Sequence, residues 1–175
     1  MELTDGTLVL RPPTDDDAGA IHAACQDPAI PRWIPIIPQP YTEERAREFV
    51  AWSRERWEAG DYSFVIVEGG SGELLGAIGM GVNQRMKIGH IGYWVAAAAR
   101  RRGVASGALR VLAGWALEKG GLGRLELVTD PDNVGSQRVA ERVGFQREGI
   151  LRSHILHRDG CRRDSVLFSL LRDEL

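Results

Sequence analysis

Between a strand-like run that ends at Val95 and an amphipathic stretch that begins at Val104 stand Arg100, Arg101, Arg102 and Gly103. Few local patterns constrain a chain more. A glycine ahead of small residues (Val104, Ala105, Ser106) predicts a sharp turn into a helix N-terminus. The first N–H groups of such a helix have no intrahelical partner, and its dipole is positive there. Guanidinium groups alongside complete a receptor for phosphate oxygens. Arg100 through Ser106 therefore read as the cradle of a phosphate-bearing cofactor.

The flanking pattern fixes the setting of that cradle. Runs at Tyr62–Glu68, Leu74–Val82 and Lys87–Val95, separated by turns, predict an antiparallel meander. Gly89 and Gly92 inside the third run predict a bulge or close approach by a ligand. Val104, Ala108, Val111, Leu112 and Trp115 then form a helical stripe that stops at Gly120-Gly121. A buried-type strand follows at Arg124–Thr129, then a short helix from Asn133 to Gly144. Strands at Phe145–Leu151 and Ser165–Leu170, joined near Asp159-Gly160, close the chain. At the other end, Thr7–Arg11 reads as a strand stopped by Pro12 and Pro13, and Thr14 caps a helix to about Cys25. Five prolines between Pro28 and Pro40 forbid a regular element, so this apolar stretch is expected as a packed loop. Thr42 caps a helix to about Ala59, with Ala46, Phe49, Val50, Ser53 and Trp57 on one face.

These elements predict an α+β (mixed α/β) fold in one domain over residues 1–175. A net charge of −2 gives no general attraction to nucleic acid or an anionic membrane. No apolar run approaches the roughly 20 residues that span a bilayer, and the acidic start Met1–Asp5 is unlike a signal peptide. Cys25 and Cys161 stand alone, which predicts reduced thiols in a cytoplasmic protein, without disulfide or metal site. A Rossmann site is a poor match: Gly103, Ala105 and Gly107 only approximate its glycine spacing, and a meander replaces the βαβ repeat. A P-loop is poorer, because no Gly-Lys-Ser/Thr follows the loop.

Arg100-x-x-Gly103-x-Ala105, Asn133-x-x-Ser136 and Gly144-Phe145-Gln146-Arg147-Glu148-Gly149 occur in that order, after Leu10-Arg11-Pro12 and Ile91-Gly92-Tyr93-Trp94. In this arrangement the chain resembles the GCN5-related N-acetyltransferases, and most closely the branch that acetylates ribosomal-protein N-termini. The resemblance implies a central mixed, mostly antiparallel sheet of six to seven strands with about four helices, splayed between the fourth and fifth strands near Val95 and Thr129. It implies acetyl-CoA as donor, CoA as product and direct transfer to an amine. Arg100, Arg101, Arg102, Gly103, Val104, Ala105 and Ser106 would wrap the pyrophosphate. Backbone groups of Tyr93, Trp94 and Val95 would meet the pantetheine arm, and Asn133 and Ser136 would contact the cofactor. Ser136 would also donate a proton to the departing thiolate. Asn133 has a helix N-cap as its plainer alternative, and Ser136 fits equally a first-turn serine bonding the backbone.

Just before Ile91-Gly92-Tyr93, where this family often carries glutamate, stands His90. Histidine can accept a proton at neutral pH, so His90 is the candidate general base, with a solvent-facing strand histidine as the plain alternative. Deprotonating a lysine-like amine at pH 7 costs roughly 4 to 5 kcal/mol, a chain terminus only about 1 to 1.5. The leading acceptor is a protein or peptide N-terminus; the alternatives are a small amine or amino acid, and a non-catalytic acyl-CoA sensor. Trp33, Ile36, Ile37, Tyr41 and Trp57 are candidates to line an acceptor pocket, against the alternative of a satellite apolar cluster. His154 and His157 are weaker base candidates, and His22 reads as a surface residue. Gly107 stands where this branch frequently has glutamate, either for close cofactor approach or as drift. The resemblance allows a homodimer, although no residue marks an interface.

Overall fold

Side-chain alternation along the strands sorts the apolar residues onto two faces of one sheet in the computed structural model, which describes residues 1–57 and 59–174. The strands are β1 (Leu3–Thr4), β2 (Leu8–Arg11), β3 (Tyr62–Glu68), β4 (Leu74–Asn83), β5 (Ile88–Val95), β6 (Arg124–Thr129), β7 (Gln146–Leu156) and β8 (Arg162–Leu171). Their order across the sheet is β1-β2-β3-β4-β5-β6-β8-β7. Each described pair is antiparallel except β5–β6. That parallel pair requires a crossover, supplied by helix α4 (Val104–Glu118).

Leu8, Leu10, Phe64, Ile66, Ile91, Leu125 and Leu127 point to one face, where α4 lays down Leu109, Leu112 and Leu117. Each fully buried leucine contributes roughly 1.5–3 kcal/mol. Helix α5 (Val134–Val143) completes this layer through Ala140. On the opposite face Val65 and Val67 meet α1 (Ala18–Ala24), α2 (Ala29–Trp33) and α3 (Glu43–Trp57) through Ile21, Ile30 and Val50. Thr42 Oγ1 accepts the Arg45 N–H at 3.2 Å, as expected of a cap. The predicted end of that helix near Ala59 runs past Glu58, which lies outside the described residues. No helix among the described residues is long and apolar enough to cross a membrane.

Several expectations change. The sheet has eight strands because Leu3 and Thr4 pair with Leu10 and Val9 of β2. The proline-rich stretch does contain a helix: Pro28 precedes α2 and Pro31 falls in its first turn, where no intrahelical N–H bond is lost. Gly89 marks no bulge, since β4 and β5 pair in unbroken register. A Cβ at Gly89 would stand 2.7 Å from Met80 Sδ and 2.8 Å from Leu125 Cδ2, so the glycine serves core packing. Trp57 lies in the core, edge-on to Tyr62 at 5.2 Å and to Phe64 at 5.0 Å, and not at an acceptor pocket.

Candidate active site

The parallel ladder between β5 and β6 runs from Ile88↔Arg124 to Ile91↔Leu127 and stops. Both strands continue, but Gly92–Val95 pair only with β4, and Val128–Thr129 only with β8. The seam therefore opens into a cleft of about 1680 Å³. Tyr93, Trp94 and Val95 line it from β5, and Leu127, Val128 and Thr129 from β6. Gly92 keeps the floor clear, as a Cβ there would meet nothing within 4 Å.

At one end of the cleft the chain leaves Val95, makes a 3-10 turn over Ala97–Ala99 and enters the arginine loop. Arg101 and Gly103 both adopt left-handed backbone, φ +61° and +83°. This geometry suits the glycine and tightens the entry to α4. The first intrahelical bond here is Gly107 N–H to Gly103 O at 2.9 Å, so the preceding amides have no helical acceptor. Val104, Ala105 and Ser106 line the cleft, and buried Ser106 donates Oγ–H to Gly103 O at 3.0 Å.

The three arginines do not act as one group. Arg100 donates Nε–H to Val95 O at 3.1 Å and pairs with the Asp27 carboxylate, holding the loop to the segment before α2. Arg102 reaches Glu68 at the end of β3, 3.3 Å away. Arg100 and Arg101 line the cleft with Gly103, and among the described residues Arg101 has no ion pair of the kind that holds Arg100 and Arg102. Gly107 has a packing explanation: a Cβ there would lie 2.8 Å from Leu8 Cδ1 and 3.5 Å from Asp5 Oδ2. A glutamate in its place would press on Leu8 and face the Asp5 carboxylate.

Midway along the cleft, the Tyr93 hydroxyl and Ser136 Oγ lie 2.9 Å apart. Burial pushes the Tyr93 phenol up to about 12, against a smaller opposing effect of the Ser136 contact, so it stays protonated. Asn133 Oδ1 accepts the Ser136 N–H at 3.1 Å, capping α5, while Asn133 and Ser136 both line the cleft. Capping and lining coexist here.

His90 faces the cleft from the opposite side of β5, on the face that carries Trp94. Its Nδ1 is 3.2 Å from Glu126 Oε2. Glu126 also accepts from Arg124 Nε at 2.7 Å, and Arg124 makes two 2.7 Å bonds to Glu148. Ser169 donates to Glu148 at 2.6 Å. The Arg124 guanidinium, then the Ser169 hydroxyl, hold the Glu148 carboxyl down at about 2. Glu148 thus acts on the network that anchors β6 to β7 across β8. Sequence reasoning missed this network and the Tyr93–Ser136 contact; its one visible signal was charge at Arg124 and Glu126 in an otherwise apolar strand.

Trp33, Ile36, Ile37 and Tyr41 line the wider part of the cleft, joined by Phe49 and Trp52. Ile36 is 86% exposed at the mouth, whereas Tyr41 is buried. His157 lines the cleft; His154 Nδ1 lies 3.1 Å from Ser165 Oγ, and His22 is half-buried on α1.

Residues 7–146 match the family described as "Acetyltransferase (GNAT) domain". The chain is 27% identical to the "Uncharacterized N-acetyltransferase YoaA" of Bacillus subtilis (strain 168) over 166 residues, 94% of this chain and 93% of that one. YdaF of the same organism, provisionally named a ribosomal N-acetyltransferase, is 28% identical over 171 residues, 96% of this chain and 92% of that one. Mycobacterium smegmatis RimJ, solved in complex with CoA-disulfide, superposes with a TM-score of 0.88 at 26% identity, covering 100% of this chain and 88% of that one. The match takes in the meander, the arginine loop, the open seam and the α5 N-terminus, and the chain belongs to the GNAT acetyltransferase family.

Proposed function

We propose that this acetyltransferase moves an acetyl group from acetyl-CoA to the N-terminal α-amine of a protein or peptide. The observation that carries the reading is the end of the β5–β6 ladder at Ile91 and Leu127, which leaves one backbone edge of Gly92–Val95 without a strand partner beside a cleft. The residues present fit the donor. The edge offers strand-type hydrogen bonds to the pantetheine amides. The α4 amides of Val104, Ala105 and Ser106, with Arg101, offer an anion site for the pyrophosphate, and a Cβ at Gly103 would meet nothing within 4 Å. Bound there, acetyl-CoA supplies an acetyl thioester, so that transfer forms an N–C bond and breaks a C–S bond.

The chain's own residues then manage protons. Glu126 Oε2, 3.2 Å from His90 Nδ1, favours positive charge on the imidazole, and Nε2 is the nitrogen that takes the proton from the acceptor ammonium. The hydroxyls of Ser136 and Tyr93 hold a proton for the leaving thiolate, Tyr93 resupplying Ser136 across 2.9 Å. An α-amine suits this apparatus, because its ordinary pKa near 7.7–8.0 leaves about a tenth of it neutral at pH 7. Free thiols at Cys25 and Cys161 fit a cytoplasmic setting.

The reading is tested by CoA release with matched acceptors: peptides with free N-termini, the same peptides N-terminally blocked but containing lysine, free amino acids and small amines. Turnover confined to free N-termini is expected. Turnover confined to small amines would replace the acceptor class, and tight acetyl-CoA binding without turnover on any acceptor would point to a sensor.

A further inference from the structure

The tip of the β7–β8 hairpin reaches over the proline-rich segment. Arg158 donates Nε–H and Nη2–H to Pro35 O at 3.1 and 3.2 Å. Against this clasp lies a second hollow of about 230 Å³, whose charged walls are Arg32, Arg158, Arg163 and Asp159. Pro35 and His157 line both this hollow and the main cleft, so the two adjoin across these residues.

Three guanidinium groups here face one carboxylate, a local positive excess in a chain whose net charge is −2. Asp159 is already engaged. Its Oδ1 accepts the Cys161 N–H at 2.9 Å and its Oδ2 accepts from Arg163 at 3.0 Å. The Cys161 bond, then Arg163, hold its carboxyl below the usual range, so it offsets Arg163 alone. Arg158 uses two of its five N–H donors on Pro35. Arg32 lies over the Trp33 ring at 4.7 Å, a stacking that leaves its in-plane N–H groups available. Both guanidiniums are thereby held in place before any ligand arrives, which lowers the ordering cost of binding. Trp33, beneath Arg32, lines the main cleft.

We infer that this hollow is an anion subsite of the acceptor, taking the carboxylate of an acidic side chain that follows the N-terminal residue being acetylated. The inference rests on the reading of the main cleft as a site for N-terminal amines. Guanidinium forks recognise carboxylates bidentately, whereas an amide or hydroxyl makes weaker neutral bonds. A free amino acid presents the same chemistry through its α-carboxylate, so the experiment separates the two sources.

The protein and acetyl-CoA are assayed with peptide pairs that differ only in Glu or Gln after the N-terminal residue, on wild type and on the Arg32→Gln/Arg158→Gln double variant. Both arginines are exposed, and circular dichroism checks that the variant is folded. The glutamate peptide is expected to show a KM roughly tenfold lower than its glutamine twin on wild type, the order of one charge-assisted contact. In the variant the gap closes, while KM for acetyl-CoA does not move. Equal KM values on wild type, or a gap the variant retains, would overturn the subsite while leaving N-terminal acetylation intact. Discrimination between free glutamate and glutamine, with none between the peptides, would overturn the peptide source. If no peptide is acetylated, titration calorimetry with N-acetylated forms of the two peptides decides: binding of the glutamate form by wild type alone retains the subsite, and equal or absent binding removes it.

Discussion

A proton must leave the acceptor ammonium, and His90 is a cleft histidine whose Nδ1 lies 3.2 Å from the Glu126 carboxylate. His90→Ala is therefore expected to lower turnover by roughly 10²-fold at pH values below the amine's pKa. The deficit shrinks as pH rises through that pKa, because the amine then arrives neutral; affinity for acetyl-CoA stays unchanged. A pH–rate profile parallel to wild type would remove His90 from the proton path. Tyr93 and Ser136 pose the complementary case. With its phenol pushed up to about 12, Tyr93 remains a donor at every working pH. Ser136→Ala and Tyr93→Phe should each slow turnover by about tenfold or more, and the double variant should be little slower than either, as groups acting as one unit are not additive. Independent, multiplying losses in stopped-flow single turnovers would break the relay apart.

Elements carry stability in ways that single residues conceal. Within α4, Gly107 and Gly114 read alike in sequence, yet a Cβ meets Leu8 Cδ1 at 2.8 Å at the first and nothing within 4 Å at the second. Gly114→Ala should raise stability by about 1 kcal/mol through helix propensity. Gly107→Glu should lower it by about 1–3 kcal/mol through overpacking. Urea unfolding distinguishes the two. Across β6, β8 and β7, Arg124, Ser169 and Glu148 stitch the far half of the sheet. The Glu148 carboxyl is depressed from 4.5 to about 2, so its contribution is fully present above pH 4.5 and is lost as pH falls toward 2. Glu148→Gln should lower the urea midpoint at pH 7 and converge with wild type as the acid is titrated. An unchanged midpoint at pH 7 would mean that exposure screens the pair. Local periodicity made β3, β6 and α5 legible to the residue, since each is bounded by turn or cap chemistry of its own. Helix α2 was hidden because proline forbids helix interiors but not first turns. The outer halves of β7 and β8 were hidden because Arg152, His154, Arg162 and Arg163 carry no apolar alternation.

At the scale of the molecule, the arginine loop, the meander and the order of motifs were enough to read the fold, because each element is a local signal and their sequence is distinctive. The partners across the cleft were not legible. His90 meets Glu126 through a parallel ladder between segments more than thirty residues apart, and Tyr93 meets Ser136 across the open seam. Such pairings depend on register, which one sequence does not display. The division of labour among the arginines emerged in the same way: Arg100 lines the cleft while tying Val95 to Asp27, Arg102 ties to Glu68, and Arg101 lines the cleft without such a tie among the described residues. Arg101→Glu should accordingly weaken acetyl-CoA binding by calorimetry more than Arg102→Glu does; the reverse order would move the pyrophosphate away from the cleft wall. Delivery of acetyl to a chain terminus is read directly by tandem mass spectrometry of a peptide with a free N-terminus and an internal lysine, incubated with the protein and acetyl-CoA. The acetyl group is expected on the N-terminal nitrogen alone, and acetylation of the lysine, or of neither amine, would rule out selective N-terminal transfer.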